Sequence, residues 1–196
     1  MAQASGSVSR HLAVHPLTPE RWNDFVALFG PRGACGGCWC MTPRLTRGEY
    51  EKRKGAGNRR ALKRLVDGGR PTGVLGYLDD VPLAWCAVAP REDFSSLSRS
   101  RILRPVDDRP VWSIVCLFVS RAYRDRGVSV AMLRAAARHA RQCGARIVEA
   151  YPVEPKQDRI PPVFAYQGIA SAYTRAGFRE VARRSPTRPI MRKHVR

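Results

Sequence analysis

Acidic residues are few in this chain: 16 Asp and Glu stand against 35 Lys and Arg, a formal net charge of +19. Lysine is scarce as well, since 30 of the 35 basic residues are arginine. The arginines are spread along the chain and form no tract of the kind that grips nucleic acid. A coding bias toward arginine would produce the same spread, so nucleic-acid binding is disfavoured. A basic surface also attracts the polyphosphate of a nucleotide cofactor. No apolar run approaches about 18 residues, which argues against a membrane-spanning helix. The opening Met-Ala-Gln-Ala-Ser-Gly-Ser lacks the apolar segment of a secretory signal, so the cytoplasm is the expected compartment. Internal repeats and coiled-coil heptads are absent.

A complete zinc-ligand set is also missing. Cys35, Cys38 and Cys40 lie within six residues, and C-x-x-C is half of a zinc site, but no second pair follows and no histidine is near in sequence. Cys86, Cys116 and Cys143 sit in apolar strand or helix patterns and read as core residues. No metal is therefore expected. A redox pair stays open, although a reducing cytosol disfavours stable disulfides. So does a tight glycine-bearing loop that packs the sulfur groups and Trp39 against the core.

What is present is a globular chain. Its 196 residues, 44% hydrophobic, suggest one domain over 1–196 with ample length for a core. Residues 1–8 are expected to be flexible, and 31–70 to form a variable segment. Residues 10–17 alternate like an edge strand closed by a proline. Thr18 and Pro19 then open a helix as N-cap and first residue, and Gly30-Pro31 ends it. Residues 46–66 read as a very basic helical region interrupted at Gly55-Ala-Gly57, either a solvated face or a lid with a glycine hinge. Residues 74–78 and 81–89 flank Asp79-Asp80 as a hairpin. The polar loop 90–110 is long enough to be functional or a solvated connector.

The stretch from 111 to 144 organises the rest. Residues 111–119 are apolar or β-branched at nearly every position, the pattern of a strand covered on both faces. Residues 128–143 switch to helical spacing: Val128, Met132, Ala135, Ala136, Ala140 and Cys143 make one face, and Gly144 caps the end. Between them lies Arg124-Asp125-Arg126-Gly127-Val128-Ser129. A helix N-terminus offers free N–H groups and a positive dipole end to a phosphate, and Gly127 lets the backbone approach it closely. A basic turn capped by Asp125 is the plainer reading. Downstream, residues 146–151 read as a strand, 152–162 as an irregular crossing, and 163–176 as a late helix holding Tyr173 and ending in Gly177-Phe178. Residues 178–182 and 189–192 complete a final hairpin.

Arg124-x-x-Gly127-x-Ser129 after a central strand, followed by Tyr173-x-x-x-Gly177-Phe178, resembles the GNAT superfamily of acetyl-CoA-dependent N-acetyltransferases, over most of 72–194. Ser129 replaces the family's last glycine or alanine, and Tyr166 stands where many members have asparagine. The resemblance implies an α/β (α+β layered) fold: a mixed, mostly antiparallel central sheet with a splayed parallel strand pair, flanked by helices, with 31–70 as its variable acceptor-side or lid region. It also implies acetyl-CoA as co-substrate and direct transfer of an acetyl group to a primary amine, with no covalent enzyme intermediate. By position, Arg124, Asp125, Arg126, Gly127, Val128 and Ser129 would hold the pyrophosphate. Leu117, Phe118 and Val119 would offer backbone groups to the pantetheine, one of them stabilising the oxyanion. Tyr173 matches the general acid that protonates the leaving thiolate.

Glu149, on the strand beside the cofactor, is the first candidate for general base, with Asp93 and Glu92 behind it. Trp39, Met41, Arg44 and Asp93 are placed by position at the acceptor site. The acceptor itself is not specified, and a compact domain favours a small-molecule amine. Two alternatives remain: a basic nucleic-acid or zinc module, and a catalytically silent acyl-CoA sensor. No membrane partner is expected, and a homodimer is compatible with the sequence.

Overall fold

The computed structural model describes residues 11–155 and 166–196. Residues 1–10 and 156–165, which include the start expected to be flexible, most of the expected crossing and the first residues expected in the late helix, lie outside the described residues. Seven strands form one sheet, in the order β1-β2-β3-β4-β5-β7-β6. They are β1 (Ala13–Pro16), β2 (Val74–Leu78), β3 (Val81–Pro90), β4 (Trp112–Val119), β5 (Ile147–Ala150), β6 (Arg179–Arg183) and β7 (Pro189–His194). Neighbours run antiparallel except β4 and β5, which are parallel. The architecture is thus the mixed α/β one expected. The helices are α1 (Trp22–Phe29), α2 (Arg47–Arg53), α3 (Ala56–Asp67), α4 (Ser95–Arg99), α5 (Val128–Gln142) and α6 (Ala170–Arg175).

The alternation of β3 divides the core. Leu83, Cys86 and Val88 pack with Val128, Met132, Leu133 and Ala136 of α5 and with Ala172 and Tyr173 of α6. Trp85, Ala87 and Ala89 point the other way, into a cluster with Trp22, Phe25 and Phe29 of α1, Leu62 and Val66 of α3, and Trp39 to Met41. Period-2 strands thus feed two period-3.6 helical layers. Local signals act where they were read. Asp79 and Asp80 both take left-handed backbone (φ 48° and 61°), the geometry that matches a two-residue turn to strand twist. Gly144 closes α5 at φ 93°, with the Ala145 N–H reaching back to the Ala140 carbonyl at 2.9 Å. Thr46 caps α2 in a reciprocal box with Glu49.

Four expectations are corrected. Thr18 has a cap's extended backbone but makes no capping bond, and a 3-10 turn at Pro19–Arg21 precedes α1. The late helix begins only at Ala170: Gly168 turns left-handed (φ 79°), and Ile169 is drawn extended into a bridge with Val153. Cys143 is exposed, because α5 ends one residue before it. The 90–110 loop is no solvated connector, since Phe94, Leu97 and Leu103 are buried in it. No helix among the described residues is long and apolar enough to cross a membrane.

Candidate active site

β4 changes register halfway along. Ile114 pairs with Val88 of β3 but Cys116 pairs with Ala87, so an extra residue bulges between them. In consequence Leu117 and Val119 face α5, while Cys116 and Phe118 face the aromatic cluster. At the same point β5 leaves: it pairs with β4 only at Trp112, Ser113 and Ile114. Beyond Ile114 the outer edge of β4 carries backbone groups that β5 does not use. The Leu117 N–H donates instead to the Tyr166 carbonyl at 2.7 Å.

From Val119 the chain runs directly into the basic turn. The Ser120 N–H anchors to the Leu83 carbonyl at 2.8 Å, and Arg124 folds back so that its Nε donates to the Val119 carbonyl at 3.1 Å. Asp125 (φ 59°) and Gly127 (φ 76°) both take left-handed backbone, and Gly127, not Asp125, is the N-cap of α5. The first-turn N–H groups of α5 lack intrahelical partners, as at any helix start. Next to Gly127, a cleft of about 480 Å³ between β1 and α5 is lined by Leu12, Val14, Val130, Arg134 and Arg138. An anion would meet the helix dipole, the turn amides and arginine charge together.

Tyr173 of α6 is fully buried on the α5 side of the sheet, its ring edge-on to Phe178 at 5.3 Å. Its hydroxyl donates to the Gln167 carbonyl at 2.8 Å. Burial pushes the phenol well above its ordinary value, so it stays protonated. Gly168 joins it to β4: a Cβ there would lie 2.9 Å from the Tyr173 Cε2 and 3.3 Å from the Leu117 Cδ2. The structure therefore brings Leu117 and Tyr173 to the same spot, on either side of one glycine.

Glu149 is fully buried and doubly paired. Its Oε1 accepts from the Arg91 Nη1 at 2.9 Å and the Tyr151 hydroxyl at 2.6 Å, and its Oε2 from the Arg192 Nε at 2.7 Å. Arg91 also donates to the Tyr151 hydroxyl and to the Leu103 carbonyl. Burial raises the Tyr151 phenol, reinforced by the Glu149 charge. Hydrogen bonds from Arg192 and Arg109 hold the Asp107 carboxyl well below the usual carboxylate range.

On the opposite face, Trp39 and Met41 are buried with Phe29, which also meets Phe118 of β4 at 5.6 Å between ring centroids. Arg44 lies over the Phe94 ring at 4.5 Å and reaches Asp93 at 3.3 Å, while Arg70 holds the other Asp93 oxygen at 2.6 Å. The structure thus gathers Trp39, Met41, Arg44 and Asp93 on the β4 face that carries Cys116 and Phe118. The cysteine stretch is a tight glycine-bearing turn, Gly33–Gly37. Within it Cys35 is exposed, whereas Cys40 is buried and accepts from the Trp85 Nε1 at 3.2 Å. Hydrogen bonding from Cys116, with further help from Trp85 and the Arg44 charge, outweighs burial and lowers the Cys40 thiol. Among the described residues no three His, Cys, Asp or Glu side chains cluster as a metal site.

The profile of the acetyltransferase (GNAT) family matches residues 40–164, from the cysteine turn past β5. The chain belongs to the GNAT family. Solved structures agree in fold. A GNAT acetyltransferase of Listeria monocytogenes is 10% identical with a TM-score of 0.56, covering 94% of this chain and 95% of that one. One from Streptococcus agalactiae is 11% identical with a TM-score of 0.55, covering 94% and 96%. The PaiA N-acetyltransferase of Thermoplasma acidophilum, solved with coenzyme A, is 12% identical with a TM-score of 0.52, covering 94% and 99%. No curated protein sequence matches the chain.

Several residues around this candidate site carry no mark in the sequence. Arg192 lies in a short apolar strand end, and only its register partner Glu149 reveals its place. Tyr151 follows β5 and reads as one more apolar residue. Gly168 was the available signal for the late start of α6, because a glycine inside a helical pattern weakens it.

Proposed function

We propose that this protein is an N-acetyltransferase that moves the acetyl group of acetyl-CoA onto a primary amine, by direct transfer with both substrates bound. One observation carries the reading: β4 leaves its parallel neighbour after Ile114 and runs straight into the phosphate-competent turn at the start of α5. A bound cofactor would place its pyrophosphate on the amides and side chains of Arg124, Asp125, Arg126, Gly127, Val128 and Ser129. Its nucleotide end would lie toward Arg134 and Arg138, and its pantetheine along Leu117, Phe118 and Val119. Coenzyme A in the Thermoplasma structure, on the same fold, supports this choice of co-substrate.

In the transfer, the amine nitrogen attacks the thioester carbonyl carbon and the C–S bond breaks. The Leu117 N–H would stabilise the oxyanion. Tyr173 gives its proton to the departing sulfur, and the proton shed by nitrogen returns to it through solvent. Trp39, Met41, Arg44 and Asp93 form the wall behind the acceptor, and a small-molecule amine fits this compact arrangement.

For Glu149 we propose a clamp in place of the base role. A carboxylate whose oxygens serve two arginines and a phenol must give up charge-assisted bonds before it can take a proton. Calorimetric titration of acetyl-CoA at raised salt, with Gly127→Glu as control, tests the reading. One-to-one binding lost in the variant supports it. No binding, or binding that the variant keeps, overturns it.

A further inference from the structure

Two adjacent carbonyls of one short segment engage both groups assigned to the thioester. Tyr166 offers its carbonyl to the Leu117 N–H at 2.7 Å, and Gln167 offers its own to the Tyr173 hydroxyl at 2.8 Å. The first is the donor aimed at the acetyl oxygen, the second the acid aimed at the sulfur. We infer that residues 166–168 are an internal strap that takes the place of the thioester on β4, and that acetyl-CoA binds only to molecules whose strap has swung away. The inference rests on the acetyl-CoA reading above.

The strap is held by few and mainly polar ties. Arg188 holds the Gln167 Oε1, and the Val153 N–H donates to the Gly168 carbonyl at 2.9 Å. Gly168, at φ 79°, is the pivot, and only the absence of a Cβ lets the strap lie between Leu117 and Tyr173. Gln167 and Gly168 are buried but Tyr166 is 41% exposed, so the Tyr166 end is the less firmly fastened one. A segment tied by a handful of hydrogen bonds opens far more readily than the core does. If the competent state is a fraction f of the population, the apparent dissociation constant is the intrinsic one divided by f.

The closed strap and the bound thioester compete for the same two hydrogen atoms. Whatever loosens the strap while leaving Leu117 and Tyr173 unsubstituted therefore tightens the cofactor. Gly168→Ala does so by steric overlap in the closed state alone, and Arg188→Ala by removing the tie to Gln167.

Two measurements on the full chain test this. Amide hydrogen exchange reads the strap in the free protein: the Leu117 N–H is protected in the wild type and loses protection in both variants. Acetyl-CoA titration reads the competition: both variants bind tighter, by about three- to tenfold, as expected when f rises from a minor fraction toward one. Arg188→Ala is the safeguard should Gly168→Ala fail to fold. An unprotected Leu117 amide in the wild type, or variants that bind acetyl-CoA no tighter than wild type, overturns the strap while the acetyltransferase reading stands. Loss of Leu117 protection in the variants with no acetyl-CoA binding by any of the three proteins overturns that reading and the competition with it.

Discussion

Glu149 and Arg192 face each other in register across β5 and β7, joined at 2.7 Å with both side chains at 2% exposure or less. Arg192 also holds Asp107 at 2.7 Å, and Glu149 also holds Arg91, so the pair ties the loop before β4 to the far side of the sheet. β4 must part from β5 just past this point, and the clamp keeps the rest of the pair closed. Removing one partner leaves the other buried and uncompensated, so Arg192→Met should destabilise by about 3 kcal/mol or more. Glu149→Gln separates the two roles proposed for the carboxylate. As a clamp residue it lowers the urea midpoint but leaves the shape of the kcat/KM pH profile alone. An acid limb that vanishes in Glu149→Gln would restore Glu149 as the base.

The Asp107 pairing predicts a specific acid sensitivity. Its folded pKa is depressed by Arg192 and Arg109, while the unfolded carboxyl titrates near about 3.9. The unfolded state therefore binds the proton first. The stability from this group is present in full above pH about 4 and is lost as pH falls below it toward the folded value. Urea unfolding at stepped pH should show the wild type more stable than Asp107→Asn by a constant margin between about pH 5 and 7, shrinking below about pH 4. A margin that stays flat to pH 3 would sink the assignment.

How much of this was legible depended on whether a feature was local. β4, the basic turn and α5 stand out because the apolar period changes across Gly127, and the turn's geometry follows from that glycine. The Asp79-Asp80 hairpin and the Gly144 cap are equally local. The Glu149–Arg192 pair is not, because the partners are 43 residues apart and meet only through the strand order β5-β7. Nor is the bulge between Ile114 and Cys116: an unbroken apolar run reads the same with or without it. Residues 166–169 read as helix because their apolar pattern continues that of α6, whereas a backbone bridge from Val153 to Ile169 settles the local conformation. Arg44 and Asp93 could be placed near each other only by fold resemblance, and their mutual pairing needed coordinates.

Gly33 is required by its neighbour as well as by its backbone. It sits at φ 62°, and a Cβ would lie 2.3 Å from the Trp39 Nε1. Gly33→Ala must therefore push Trp39 off Phe29 or unwind the turn, at a cost of about 1–3 kcal/mol for the overpacking. If Trp39 lines the acceptor side, KM for the amine rises while acetyl-CoA affinity holds. Tryptophan fluorescence should report the displaced indole. An unchanged spectrum and KM would detach this turn from the site.

Tyr173→Phe tests the proposed acid in two ways that do not depend on each other. Loss of a positioned proton donor should lower kcat by about 10²–10⁴-fold, with a smaller effect for acceptors assayed with thioesters of more acidic thiols. The burial that raises the phenol also predicts a stability effect. Unfolded tyrosine ionises near about pH 10, whereas folded Tyr173 remains neutral there. Above that pH the unfolded state sheds a proton that the folded state keeps, so stability falls with rising pH. The difference in stability between wild type and Tyr173→Phe should therefore change between about pH 9 and 11 in the direction that favours the variant. A variant with full turnover but the expected alkaline stability would leave Tyr173 a core residue and transfer the proton donation to another group.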